Sequence, residues 1–186
     1  NSETIHCNEN VYYSIYQSDR YGFNNPDEKW DEKEIEYLLV GDSFTHGACV
    51  NRPNDIGSVL GTLSNKSVLN LGYDGNGPLI EYATLREYLN SNVKKVLWIY
   101  FENNDLGDLK YEKGEIFLMN YLNDLTFTQN LKLKQNEIDD LAIEKIERES
   151  FRFIIKKLKN FVTLFNSRTL IYKIPLPEAA PAPAPE

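Results

Sequence analysis

Short apolar runs and amphipathic stretches alternate along the middle of the chain. Residues 35–40 read Ile-Glu-Tyr-Leu-Leu-Val and stop at Gly41, which predicts a buried strand. Behind the start signals Pro53 and Asn54, residues 55–63 set Ile56, Val59, Leu60 and Leu63 on one face and predict a short helix. A second strand is predicted over 67–71, running into Gly72, Gly75 and Gly77. Pro78 then opens a helix to residue 89, with Leu79, Tyr82, Ala83, Leu85, Arg86 and Leu89 marking its face. Residues 95–101 are apolar nearly throughout and predict a third strand.

Farther on, residues 116–122 predict a short helix inside a mixed stretch, 107–135. The clearest helical period lies between 137 and 166, where Phe151, Ile154, Ile155, Leu158, Phe161, Val162 and Phe165 recur at steps of three and four and predict one buried face. Residues 169–174 predict a fourth strand. Residues 1–34 are polar and aromatic with turn chemistry at 21–26, and the tail 178–186 holds only Ala, Pro and Glu. The division is therefore an extended lead-in (1–34), a folded domain (35–177) and a solvated tail (178–186). Buried strands alternating with amphipathic helices imply parallel strands joined by crossovers. The expected fold is a doubly wound three-layer α/β/α sandwich with a mostly parallel sheet, its chemistry at the carboxyl ends of the strands.

Composition narrows the function. A chain of 186 residues suffices for one core, and a net charge of −8 with no basic patch disfavours a nucleic-acid partner. No stretch reaches the roughly 20 apolar residues that cross a bilayer, so no membrane insertion is expected. The two cysteines, Cys7 and Cys49, are too few and too far apart for a metal knuckle. They are either two ordinary thiols or one disulfide, which would tie the N-terminal segment to the loop after Ser43.

Three strand tips carry candidate chemistry. Ser43 stands where the first strand ends, a place that suits a nucleophile and equally a helix cap. The second tip is the glycine-rich stretch, whose spacing fits neither a dinucleotide fingerprint nor a phosphate loop. At the third, Asn104 can aim an amide at the same point while Asp105 holds the loop by accepting from backbone donors. A hydroxyl, a backbone N–H and a side-chain N–H around one point are the parts of an oxyanion hole.

These blocks resemble the SGNH or GDSL-type serine esterases and O-acyltransferases. Gly41-Asp42-Ser43 matches the first block, Gly75 the second, and Glu102-Asn103-Asn104-Asp105 the third, with glutamate where the family has glycine. The resemblance implies Ser43 as nucleophile, an oxyanion hole of Ser43, Gly75 and Asn104, support from Asp42 and Asp105, and neither metal nor organic cofactor. It implies a small ester or acylated glycan as substrate. The lead-in 19–24 is similar to segments before such domains in exported bacterial proteins that add or remove acetyl groups, which implies a periplasmic or exported location.

The family's Asp-x-x-His block, which supplies the base, has no counterpart after the fourth predicted strand. The two histidines are His6 and His46, neither placed to serve, so we expect the natural protein to continue past Pro177 and this chain to be poorly active. The rival reading is a non-catalytic module that binds its ligand through Asn104, Asp105, Tyr73 and Tyr100. A flavodoxin-like signalling domain would need clustered acids beside Asp42, which stands alone at the first strand's end.

Overall fold

The structure is a computed structural model that describes residues 2–7 and 12–171, and the side chains of these other than 158 and 160–171. It divides into two compact units, Asn1–Gln135 and Asn136–Glu186.

In the first unit, β1 (Glu3–Ile5) and β2 (Ile15–Gln17) pair antiparallel as a hairpin. The main sheet has three parallel strands, β3 (Ile35–Gly41), β4 (Val68–Asn70) and β5 (Val93–Ile99), in the order β4-β3-β5. β3 lies in the centre because its side chains tolerate no water: Ile35, Leu38, Leu39 and Val40 are all fully buried. The register sets Leu38 beside Leu69 of β4 and Val96 of β5. Helices α1 (Ser43–His46), α2 (Ile56–Ser64), α3 (Pro78–Tyr88), α4 (Asp105–Glu112) and α5 (Ile116–Asn123) follow the strand ends or lie between strands. The unit is thus a mixed α/β fold on a parallel sheet.

The sequence-based expectations need correction at several points. The lead-in belongs to the same unit as the sheet, because Phe23 and Trp30 enter one core cluster with Ile35, Leu38, Leu69, Leu71 and Tyr88. Its link to β4 is specific. The Asn25 side chain donates from Nδ2 to the Asn70 carbonyl and accepts the Asn70 N–H on Oδ1, both at 2.8 Å, imitating a neighbouring strand. β5, expected to be buried, is the other edge: Val96, Leu97 and Trp98 are 39%, 37% and 42% exposed. The apolar stripe of α2 is also largely exposed, and the helix buries Gly57 instead. α3 buries Glu81 and Glu87, polar residues that its period alone would place outside.

The second of these glutamates, with Arg86 beside it, organises the excursion after α5. Glu87 accepts the Tyr121 hydroxyl, the Thr128 hydroxyl and the backbone N–H groups of Gln129 and Leu131. Next to it, Arg86 donates to the carbonyls of Tyr121, Asp124, Leu125 and Phe127.

The second unit contains most of α6 (Gln135–Ile171). Its period is helical as expected, but Phe151, Ile154 and Ile155 are exposed, since a stripe supplies no surface to cover itself. Leu158, Phe161, Val162 and Phe165 have side chains outside the described set. Residues 169–171, expected to begin a strand, end this helix, while 172–174 and the tail 178–186 lie outside the described residues.

Candidate active site

β3 delivers Gly41 to the rim of the sheet, where the chain turns at once into α1. Asp42 caps that helix, its Oδ1 accepting the Phe44 N–H at 3.2 Å. Ser43, its first residue, is half-buried, and its hydroxyl makes no hydrogen bond among the described residues.

The second tip folds against the first. Tyr73 donates its N–H to the Gly41 carbonyl at 3.2 Å, and Asn70 donates from Nδ2 to the Thr45 carbonyl at 2.5 Å. Gly72 permits this approach: a Cβ there would stand 2.5 Å from the His46 nitrogen and 2.6 Å from the Thr45 carbonyl carbon. Gly75, farther out, has φ +82 and open space around it, so its freedom serves the turn rather than a contact. Of the glycines in this loop, Gly72 is the one packed on α1.

The third tip reaches the first through a carboxylate. Asn104 donates from Nδ2 to Asp42 Oδ2 at 3.3 Å and to Asp108 Oδ2 at 3.2 Å, which engages both amide hydrogens. Its Oδ1 is buried without a partner among the described residues. Asp105 holds the loop as expected, accepting the Phe101 N–H at 2.7 Å. The rings of Phe44 and Phe101 meet edge to face at 4.9 Å across the same two tips.

Beneath the tips lie two glutamates that sequence reasoning missed, Glu81 and Glu112, because nothing in a helical period marks a buried glutamate. Glu81 is 1% exposed; its Oε2 accepts the Trp98 indole N–H at 2.5 Å and its Oε1 has no partner among the described residues. Burial first, then the charges of Asp105, Asp42 and Glu112, push its pKa up to about 7. Burial likewise raises Asp105, aided by Asp42 and Asp108. Glu112 is spent on structure: its two oxygens accept the Gly77 and Leu79 N–H groups at 2.8 Å, at the start of α3.

Neither histidine serves Ser43. His46 is buried, with Nε2 2.8 Å from the Tyr16 hydroxyl and Nδ1 accepting the Asp74 N–H at 3.1 Å. Burial, then the neighbouring His6, lowers its pKa to about 4, so the ring is neutral near pH 7 and both nitrogens are engaged. His6 pairs with Asp74, Nε2 to Oδ2 at 3.3 Å. Of the two states open to the cysteines, the structure has the disulfide, with the Cys7 and Cys49 Cα atoms 4.9 Å apart.

A cleft of about 370 Å³ lies beside the edge of β4, bounded by Asn25, Lys29, Arg52, Asp55, Ser58 and Lys66 among others, and Ser43 is not in its wall. The rings of Phe44, Tyr73 and Tyr100 are about half exposed. Among the described residues no three His, Cys, Asp or Glu side chains are grouped to hold a metal ion. No helix of the described residues is long and apolar enough to cross a membrane. The chain matches no family model, no curated protein and no solved structure.

Proposed function

We propose that the first unit is an acyl-transfer domain of SGNH type, an esterase or O-acyltransferase working through an acyl-Ser43 intermediate on a small ester or an acylated glycan. The observation that carries this reading is the joining of Asp42 to Asn104 at 3.3 Å, which puts the loop of the proposed nucleophile and the proposed amide donor in direct contact. In this reading the Ser43 and Gly75 N–H groups and Asn104 Nδ2 receive the oxyanion, each donor contributing about 3 kcal/mol to the transition state. Asn104 must then release at least one of its two carboxylates as the oxyanion forms. The three-layer sandwich belongs to the same proposal, of which the parallel sheet with flanking helices is the coarser part.

A second reading is favoured by a specific observation. Among the described residues Ser43 has no basic partner, and both amide hydrogens of Asn104 are already satisfied, which suits a binding module that holds a ligand at the strand tips without turnover. Hydrolysis of p-nitrophenyl acetate separates the two. The enzyme reading expects slow turnover that falls to background in Ser43→Ala. Equal rates for wild type and variant, together with no acyl adduct on Ser43 by mass spectrometry, would leave the binding reading.

A further inference from the structure

The β1–β2 hairpin is fastened to two loops of the proposed site. To the loop after α1 it is joined by the Cys7–Cys49 disulfide and by the Ile15 N–H, which donates to Asn51 Oδ1 at 2.8 Å. To the loop that carries Gly75 it is joined by the His6–Asp74 pair at 3.3 Å. Between these fastenings stands His46. Because its Nδ1 accepts the Asp74 N–H, the ring proton lies on Nε2 and is donated to the hydroxyl of Tyr16, a residue of β2. The Tyr73 ring stacks on His46 with centroids 5.0 Å apart, and the rings of His6 and Tyr16 meet His46 edge-on at 4.9 and 5.3 Å. Tyr73 and Asp74, the two residues before Gly75, are thus held by groups that the hairpin itself holds.

We propose that the Cys7–Cys49 disulfide regulates the proposed site, with His46 as the positioning residue that carries the hairpin's hold to the Tyr73–Gly75 backbone. Its consequence for catalysis rests on the acyl-transfer reading; its mechanical part does not. A dithiol cleaves the S–S bond by giving two electrons and two protons, leaving two thiols and itself closing to a disulfide. The hairpin's hold on the two loops is then non-covalent, including the His6–Asp74 contact, whose Asp74 side chain is 52% exposed. Without the covalent tie the Tyr16 hydroxyl and His6 leave their places, and Asp74 loses both its side-chain partner and the orientation of its N–H acceptor. Groups facing His46 that titrate or carry charge are His6, Tyr16, Tyr73 and Asp74, so the comparison is made at one pH.

Hydrogen exchange on the 186-residue chain at pH 7, with and without dithiothreitol, tests this. The expected result is at least a tenfold faster exchange over residues 73–76 on reduction and in Cys7→Ser, with β3 unchanged. His46→Phe in the oxidised protein does the same, and His46→Asn, which keeps an acceptor at the Nδ1 position, restores protection of Asp74. Unchanged exchange over 73–76 after the S–S bond is shown by mass to be cleaved overturns the proposal. So does loss of protection throughout β3, which would make the disulfide a general brace. A parallel assay with p-nitrophenyl acetate keeps the two ideas apart. A wild type inert in both redox states whose loop loosens on reduction sinks the acyl-transfer reading and leaves the mechanical coupling standing. An active protein with equal kcat in both redox states, despite a loosened loop, overturns regulation of the site.

Discussion

Replacing Glu81 by glutamine removes one proton-binding group and leaves its shape. In the folded protein the carboxyl is buried, gives one oxygen to the Trp98 indole and has its pKa raised to about 7, against an ordinary value of 4.5. The sign follows from which state binds the proton more tightly. Between pH 4.5 and 7 the folded state keeps a proton that the unfolded chain has lost, so stability present below pH 4.5 is withdrawn as pH rises through 7. At 1.36 kcal/mol for each pH unit of separation, the loss comes to about 3 kcal/mol. Glutamine still accepts from Trp98 and cannot ionise beside Asp105, Asp42 and Glu112. Glu81→Gln should therefore match wild type near pH 4.5 and exceed it by up to about 3 kcal/mol at pH 8.

The measurement is urea unfolding followed by tryptophan fluorescence at half-unit steps from pH 4.5 to 8. The difference between the two proteins is the quantity to read, because His46 tilts the common curve the other way. Its folded pKa lies at about 4, below the ordinary 6.5, so its contribution is present above pH 6.5 and lost as pH falls toward 4. That slope cancels in the difference. Parallel stability curves for wild type and Glu81→Gln would refute the reasoning, since they would mean that Glu81 ionises alike in both states.

Three further outcomes are expected. Asn25→Ala strips the Asn70 N–H and carbonyl of their partners at the edge of β4, and at about 1–3 kcal/mol per orphaned group should cost about 3 kcal/mol in urea unfolding. Arg86→Lys replaces a planar fork that reaches the carbonyls of Tyr121, Asp124, Leu125 and Phe127 by a single ammonium; a loss of about 1–2 kcal/mol is expected. Limited proteolysis should then cut first within residues 121–131. Glu112→Gln weakens the charged cap on the start of α3 and should lower stability by about 1 kcal/mol in the same urea assay, without altering the far-ultraviolet circular dichroism spectrum.

What was legible in the sequence follows from what a period can encode. The strands β3 and β4 and the helices α2, α3, α5 and α6 are visible because short apolar runs and 3.6-residue spacing report local geometry directly. Exposure is a tertiary property, and it failed where the period was strongest: Phe151, Ile154 and Ile155 keep helical spacing in α6 and remain exposed. The opposite failure is Glu81, a polar residue on α3 that sits inside because Trp98 meets it from β5. The lead-in resisted for a further reason. Besides Phe23 and Trp30, its hold on the rest of the unit runs through single amide side chains, Asn24 to the His46 carbonyl of α1 and Asn25 to Asn70 of β4, and no spacing rule announces a side chain that acts as a strand.

The proposed site shows the same division between residues that bear chemistry and residues that hold them. Ser43, Gly75 and Asn104 were legible as types at the ends of strands, but the contacts that gather the tips belong to their neighbours. Asp42 meets Asn104, Tyr73 meets the Gly41 carbonyl, and Gly72 lies flat on α1. Scaffold and chemistry are for this reason separable. Ser43→Ala removes a hydroxyl with no hydrogen-bond partner among the described residues and leaves the tips joined. A side chain at Gly72, whose Cβ would stand 2.5 Å from the His46 nitrogen, forces the first two tips apart while leaving every proposed reacting group in the chain. If catalysis depends on convergence of the tips, Gly72→Ala should abolish acylation of an intact Ser43, and a Gly72→Ala protein that acylates as fast as wild type would show that convergence is not what the chemistry needs.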